Sequence, residues 1–238
     1  MESMAIGIIV AMDVEMERIE ATMEKAKKEK VSGMIFIRGE LAGLPVVAAR
    51  SGVGKVCAAM CAQTMITRYR PKQILGAGIA GSLKDLKPGE VAIALDLVQH
   101  DFILNAFGYE DGYLPSIGKI YIPCDSSMVQ RMIRAAKAEK RLYALGTIAS
   151  GDCFVNTSEK KNRIAKAFNA IACEMEGAAI AQVCVMNNLP FCVVRCISDS
   201  GDEQADEDIG TNEAISTEGS AAMVLRYVEM LANEGKKA

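Results

Sequence analysis

The chain has 238 residues, of which 50% are hydrophobic and 24% charged, with a formal net charge of −3. That size and apolar content suit a single domain over 1–238 with a full core. The lysines and arginines are too dispersed for a nucleic-acid footprint, and no apolar run approaches the roughly 20 residues of a membrane helix.

Apolar runs and helical patterns alternate along the chain. The pattern predicts a strand over 4–12, a helix over about 13–28, strands over 34–40 and 45–50, a helix over 54–69, and strands over 72–79 and 90–98. An irregular stretch runs to 124. Then come helix 126–139, strand 143–150, helix 158–168, strand 170–174, helix 175–187, strand 190–198 and a closing helix over about 213–234. Pro71 and Pro190 stand just before strands, where they end a helix without costing a ladder bond. Strands interleaved with helices imply an α/β fold, a mixed, mostly parallel central sheet covered by helices.

Four acids stand where apolar runs end. AIGIIVAM stops at Met12, three residues before Glu15; AIAC stops at Cys173, before Glu174 and Glu176; FCVVRCIS stops at Ser198, before Asp199. Parallel strands in one sheet would gather these carboxylates at its carboxyl edge, where open α/β sheets bind ligands. A cluster rich in carboxylates suits acid–base cleavage of a glycosidic-type bond. Taken singly, each acid also reads as a first-turn or capping residue favoured by a helix dipole.

The eight cysteines form no CxxC pair, and a chain with one histidine offers poor zinc ligands. They read as small buried hydrophobes of a cytoplasmic protein. The apolar N-terminal run is short and lacks the basic flank of a secretion signal.

Two glycine motifs invite nucleotide readings. Gly76-Ala77-Gly78-Ile79-Ala80-Gly81 satisfies GxGxxG, with Asp96 twenty residues beyond Gly76. Pro88-Gly89 follow too soon for the helix that a dinucleotide fold requires, so these glycines read as points of close backbone approach to a ligand. Ser51-Gly52-Val53-Gly54-Lys55 lacks Walker A spacing, and its amides fit either a pocket lining or a plain turn. Two further segments read as loops. The aromatic stretch 100–118 suits an interface or pocket wall, and the acidic stretch 200–212 suits a mobile lid or a solvated turn.

Seven motifs in order carry a resemblance over almost the whole chain. They are IGIIVAMDVEM (6–16), SGVGKVCAA (51–59), GAGIAGSLKDLKPGEV (76–91), HDFILNAFGYEDGYLP (100–115), SGDCFVN (150–156), EMEGAAIAQVC (174–184) and VVRCISDSGD (193–202). The chain resembles the nucleoside phosphorylase/hydrolase superfamily, most closely its 5′-methylthioadenosine/S-adenosylhomocysteine nucleosidases. The resemblance implies a three-layer αβα fold and hydrolysis of the adenine–ribose bond of methylthioadenosine and S-adenosylhomocysteine, with 5′-deoxyadenosine a further candidate. It implies no cofactor and no metal.

By position, the resemblance makes Glu15 the base for water and Asp199 the acid for the adenine ring nitrogen. Glu176 and the backbone of Met175 would grip the ribose hydroxyls, with Met12 and Val53 packed around the sugar. Phe154 and Val155 would cover the purine, Gly81 would lie close to the ligand, and Arg195 would help place the water. Glu174 and Ser198 complete the implied substrate-binding set. Phe107, Tyr109 and Pro115 would close the partner subunit's alkylthio pocket, which implies a homodimer.

Ile79, Ile209 and Asn212 depart from the family pattern, which has a small hydroxyl residue, a phenylalanine and an apolar residue there. These departures bear on substrate choice and rate. The alternatives are a purine nucleoside phosphorylase, a futalosine-type nucleosidase, and a catalytically weakened nucleoside-binding protein. A phosphorylase needs basic groups for phosphate, whereas the first turn here is AMDVEMER and lacks an early phosphate-binding motif.

Overall fold

The computed structural model describes residues 5–235; the first residue of the predicted 4–12 strand and the last three of the chain lie outside them. The elements run β1 (Ile6–Val10), α1 (Asp13–Thr22), β2 (Glu24–Val31), β3 (Met34–Leu41), β4 (Leu44–Arg50), α2 (Lys55–Tyr69), β5 (Ile74–Ser82) and β6 (Val91–Gln99). A 3-10 turn (Asn105–Phe107), β7 (Ile122–Pro123), α3 (Ser126–Ala138), β8 (Tyr143–Ser150) and α4 (Ser158–Phe168) follow. The chain then forms β9 (Ala170–Glu174), α5 (Gly177–Met186), β10 (Phe191–Asp199) and α6 (Ala205–Gly235).

All the strands belong to one mixed sheet with helices on both faces, the α/β class expected. On β1, Ile9 packs into one core cluster, with Cys61 and Met65 of α2 and Ile180 of α5. Its neighbours Ile8 and Val10 pack into the other, with Met16, Met132 and Val224 of α1, α3 and α6. Burial on both faces is why such strands read as unbroken apolar runs.

The strands that feed the site run parallel: β1 lies between β4 and β5, and β10 lies beside β5. The sheet then closes partly on itself. β10 pairs antiparallel with β6, β6 parallel with β8, β8 parallel with β9, and β9 returns antiparallel to β5 through Gly81–Cys173 and Ser82–Ala172. This closure sets the carboxyl ends of β5 and β9 against each other.

The helix predicted over 13–28 ends at Thr22, and Glu24–Val31 is a strand paired antiparallel with β3. Its Lys/Glu-rich sequence has good helix propensity, but ladder pairing decides the outcome. The strand is a charged, mostly exposed edge, a composition that discourages pairing with other chains. Ser32 and Gly33, with φ of 51° and 83°, turn β2 into β3 with the left-handed backbone that two-residue hairpins need.

The closing helix starts at Ala205, not near 213, so much of the expected 200–212 lid is helical. Asp206, Glu207 and Asp208 occupy its first turn, where acids complement the positive end of the helix dipole. Ser200 Oγ also donates to Asp208 Oδ2 at 3.0 Å, tying the preceding turn to the helix.

Candidate active site

Glu15 lies in the first turn of α1, just past the carboxyl end of β1, and is buried. Its Oε2 accepts hydrogen bonds from the backbone N–H groups of Ala11 and Met12, each at 2.9 Å. Its Oε1 accepts from the Ile79 N–H at 2.9 Å, which ties α1 to β5. Gly78 makes this approach feasible, because a Cβ there would stand 2.5 Å from Oε1. The glycine motif thus lets a carboxylate, rather than a pyrophosphate, meet the backbone.

Asp199 ends β10 and is 1% exposed. Its Oδ2 accepts from Ser198 Oγ at 2.7 Å and its Oδ1 from the Gly201 N–H at 2.8 Å. Burial raises its pKa above the ordinary aspartate value, and Asp208 and Asp202 raise it further against those two hydrogen bonds. Protonation is therefore easier here than in water.

Glu174 and Glu176 flank the β9–α5 junction and share one buried cation. Arg195 Nη2 donates to Glu174 Oε2 and lies 3.4 Å from Glu176 Oε2, while Nη1 donates to Ala77 O at 3.0 Å. Burial works against the guanidinium charge, but Glu174, Glu176 and Glu15 outweigh it and raise the Arg195 pKa. Glu174 also accepts from Ser150 Oγ, from the Glu176 N–H at 3.1 Å and from the Gly177 N–H at 2.8 Å to Oε2. With so many donors, Glu174 serves as a support for the junction.

Glu176 is held more lightly. Its Oε1 accepts from the Gly54 N–H at 2.8 Å. Burial raises its pKa to about 7, with Glu174 and Glu15 adding to the rise and Arg195 and the Gly54 amide opposing it. The Ser51–Lys55 turn therefore contributes an amide to this site rather than a nucleotide loop.

These groups border one cavity of about 140 Å³. Glu15, Glu174, Glu176, Ser198 and Asp199 are on its wall, with Met12, Val53, Gly81, Phe154 and Met175. Ile79 and Ile209 line it as well, so both departures from the family pattern face the site. Asn212 is set back, donating from Nδ2 to Ser198 O at 3.1 Å.

Two expected residues, Val155 and Arg195, are not on the cavity wall. Val155 packs with Leu83, Ile164 and Phe168 in a satellite core, leaving Phe154 as the wall residue of that pair. Arg195 is buried behind the carboxylates and positions them. Phe107, Tyr109 and Pro115 are exposed in the 100–118 segment and do not line the cavity of this chain. The motifs contain Ser150 and Gly54, and Cys173 ends the apolar run before Glu174, but only the contacts reveal their parts in the site. Ser150 accepts from the Ala178 N–H at 2.7 Å while donating to Glu174, and Cys173 lines the cavity beside Gly81.

Residues 5–229 match the family model described as the phosphorylase superfamily. The chain belongs to the phosphorylase superfamily. Among its relatives, a 5′-methylthioadenosine/S-adenosylhomocysteine nucleosidase of Shewanella pealeana is 36% identical over 231 residues, 96% of this chain and 100% of that protein. The crystal structure of the nucleosidase of that name from Neisseria meningitidis, in complex with methylthio-immucillin-A, superposes with a TM-score of 0.92 at 36% identity. That match covers 94% of this chain and 98% of the other. A futalosine hydrolase of Helicobacter pylori gives a TM-score of 0.91 at 33% identity over 94% and 97% of the two chains. As a phosphorylase-superfamily member, this chain carries four acids on one cavity wall.

Proposed function

We propose that the protein hydrolyses the N-glycosidic bond of 5′-methylthioadenosine and S-adenosylhomocysteine, releasing adenine and the 5-substituted ribose. The observation that carries this reading is that Glu15 and Asp199, from separate strand ends, border one cavity in contrasting environments. The full-length similarity to nucleosidases supports the same chemistry.

Adenine leaves poorly as an anion. Asp199, its pKa raised by burial and its carboxyl group hydrogen-bonded to the Ser198 hydroxyl and the Gly201 amide, donates a proton to the purine ring as the bond breaks. The ribosyl fragment becomes oxocarbenium-like, and the carboxylates around it stabilise that charge. Glu15 accepts a proton from the attacking water. Glu176 and the Met175 backbone hold the ribose hydroxyls, Met12 and Val53 enclose the sugar, and Phe154 covers the base. Arg195 acts through Glu174 and Glu176, whose positions it fixes.

A futalosine-type nucleoside is the second reading, favoured by the comparable superposition on futalosine hydrolase and by aliphatic Ile209 on the cavity wall. The protein acts as a homodimer in this proposal: Ile103, Phe107 and Tyr109 on the 100–118 segment and Val56 and Met60 on α2 are large exposed apolar side chains suited to a partner. Eight free cysteines suit a reducing, cytoplasmic setting.

Incubation with methylthioadenosine, with and without phosphate, while following adenine release, tests the reading. Phosphate-independent release is expected. Release only with phosphate selects a phosphorylase, and tight binding without turnover selects a nucleoside-binding protein.

A further inference from the structure

A second recess adjoins the cavity on the side away from Asp199. It has a volume of about 310 Å³ and shares Ala11, Met12 and Val53 with the carboxylate cavity. The rest of its wall comes from Gly33 and Met34 at the β2–β3 turn, Ser51 and Gly52 after β4, and one ion pair, Asp13–Arg50. None of its lining comes from β10, α6 or the 150–156 segment, which supply the purine end of the cavity.

Asp13 and Arg50 reach this place for topological reasons. Arg50 closes β4 in register with Val10, the last residue of β1, and Asp13 opens α1 three residues after Val10. Parallel pairing of β1 and β4 therefore sets an acid and a guanidinium side by side on the sheet's carboxyl edge. Both remain accessible, with side-chain exposures of 76% for Asp13 and 38% for Arg50. The pair occupies Nη1 of Arg50 and Oδ2 of Asp13. The guanidinium carries five N–H donors in all and the carboxylate a second oxygen, so both keep capacity for a ligand.

We infer that Asp13 and Arg50 recognise a zwitterionic α-amino acid at the end of a 5′-substituent, and so favour S-adenosylhomocysteine over nucleosides with a short apolar tail. This rests on the proposed reading of the main cavity. With the purine at Asp199 and the ribose hydroxyls at Glu176, the part of the substrate that passes Met12 and Val53 is the 5′-substituent. An α-amino acid presents a carboxylate and an ammonium a few ångströms apart, the complement of an adjacent guanidinium and carboxylate. Its carboxylate takes Arg50 N–H groups in charge-assisted hydrogen bonds, and its ammonium donates to Asp13. Methylthioadenosine ends in a methyl group and gains nothing from either residue.

The test compares S-adenosylhomocysteine and methylthioadenosine as substrates of the unmodified protein, Arg50→Met and Asp13→Asn. In Arg50→Met, kcat/KM for S-adenosylhomocysteine is expected to fall about tenfold through KM, the scale of one exposed charge-assisted contact. Methylthioadenosine turnover is expected to stay within about twofold. Asp13→Asn shifts the same ratio in the same direction, and added salt weakens the preference of the unmodified protein alone. Equal losses on both substrates, or no change in their ratio, overturn the role of the pair. If the unmodified protein releases adenine from neither nucleoside, the hydrolase reading itself fails and this inference falls with it.

Discussion

A Cβ placed on Gly81 would stand 2.7 Å from Oδ1 of Asp199, so a missing side chain on β5 sets where the carboxylate of β10 can lie. The two residues face each other in register, and Cys173 of β9 pairs with Gly81 from its other side. Gly81→Ala is expected to push Asp199 from its hydrogen bonds with Ser198 and Gly201. Overpacking of this kind typically costs about 1–3 kcal/mol. Denaturant unfolding should register that loss together with a fall in kcat, and unchanged kcat would show that Asp199 tolerates displacement.

Asp199→Asn keeps the shape of the side chain but removes the exchangeable acid. Loss of one general acid typically lowers the rate by about 10²–10⁴. Adenine release should drop on that scale while circular dichroism and the thermal midpoint stay near those of the unmodified protein. Full activity in this variant would remove Asp199 as the proton donor.

The carboxyl of Glu176 titrates at about 7 in the folded protein, against an ordinary value of 4.5. A group whose folded pKa is raised supplies stability that is full below its unfolded value and lost as pH rises through its folded value. Glu176 therefore lowers the thermal midpoint as pH increases from 4.5 to about 7. Asp199, also raised, acts in the same direction. Melting curves of Glu176→Gln across that window should show a shallower decline than the unmodified protein, and an identical slope would contradict this assignment.

Arg195 is the buried cation between Glu174 and Glu176. Removing it in Arg195→Met strands two buried carboxylates and typically costs about 3–5 kcal/mol. Urea unfolding would measure this. Arg195→Lys is expected to recover only part, because one ammonium cannot reproduce the fork that reaches Ala77 O through Nη1 and Glu174 through Nη2.

Several elements were legible because local pattern and final structure agree. The strands at 143–150 and 170–174 and the helix at 158–168 appear with the predicted bounds. The stretch from Glu24 to Val31 misled because its charges satisfy helix propensity, while the strand exists only through pairing with β3. Ser32-Gly33 before Met34 was the available hairpin signal. The start of α6 was hidden for the opposite reason: acids and glycine look like a loop, yet acids in a first turn also stabilise a helix.

By itself, the order of apolar runs determined an α/β fold and placed Glu15, Glu174, Glu176 and Asp199 at the ends of strands. It also excluded a dinucleotide helix after Gly81, because Pro88 and Gly89 leave no room for one. Tertiary structure alone decided which acids are free to act. Closure of β9 onto β5 brings Cys173 to Gly81, and burial of Arg195 engages Glu174 fully while leaving Asp199 with only a hydroxyl and an amide. Strand ends follow from local pattern, whereas a carboxyl group's proton affinity depends on the desolvation and charges that distant segments bring to it.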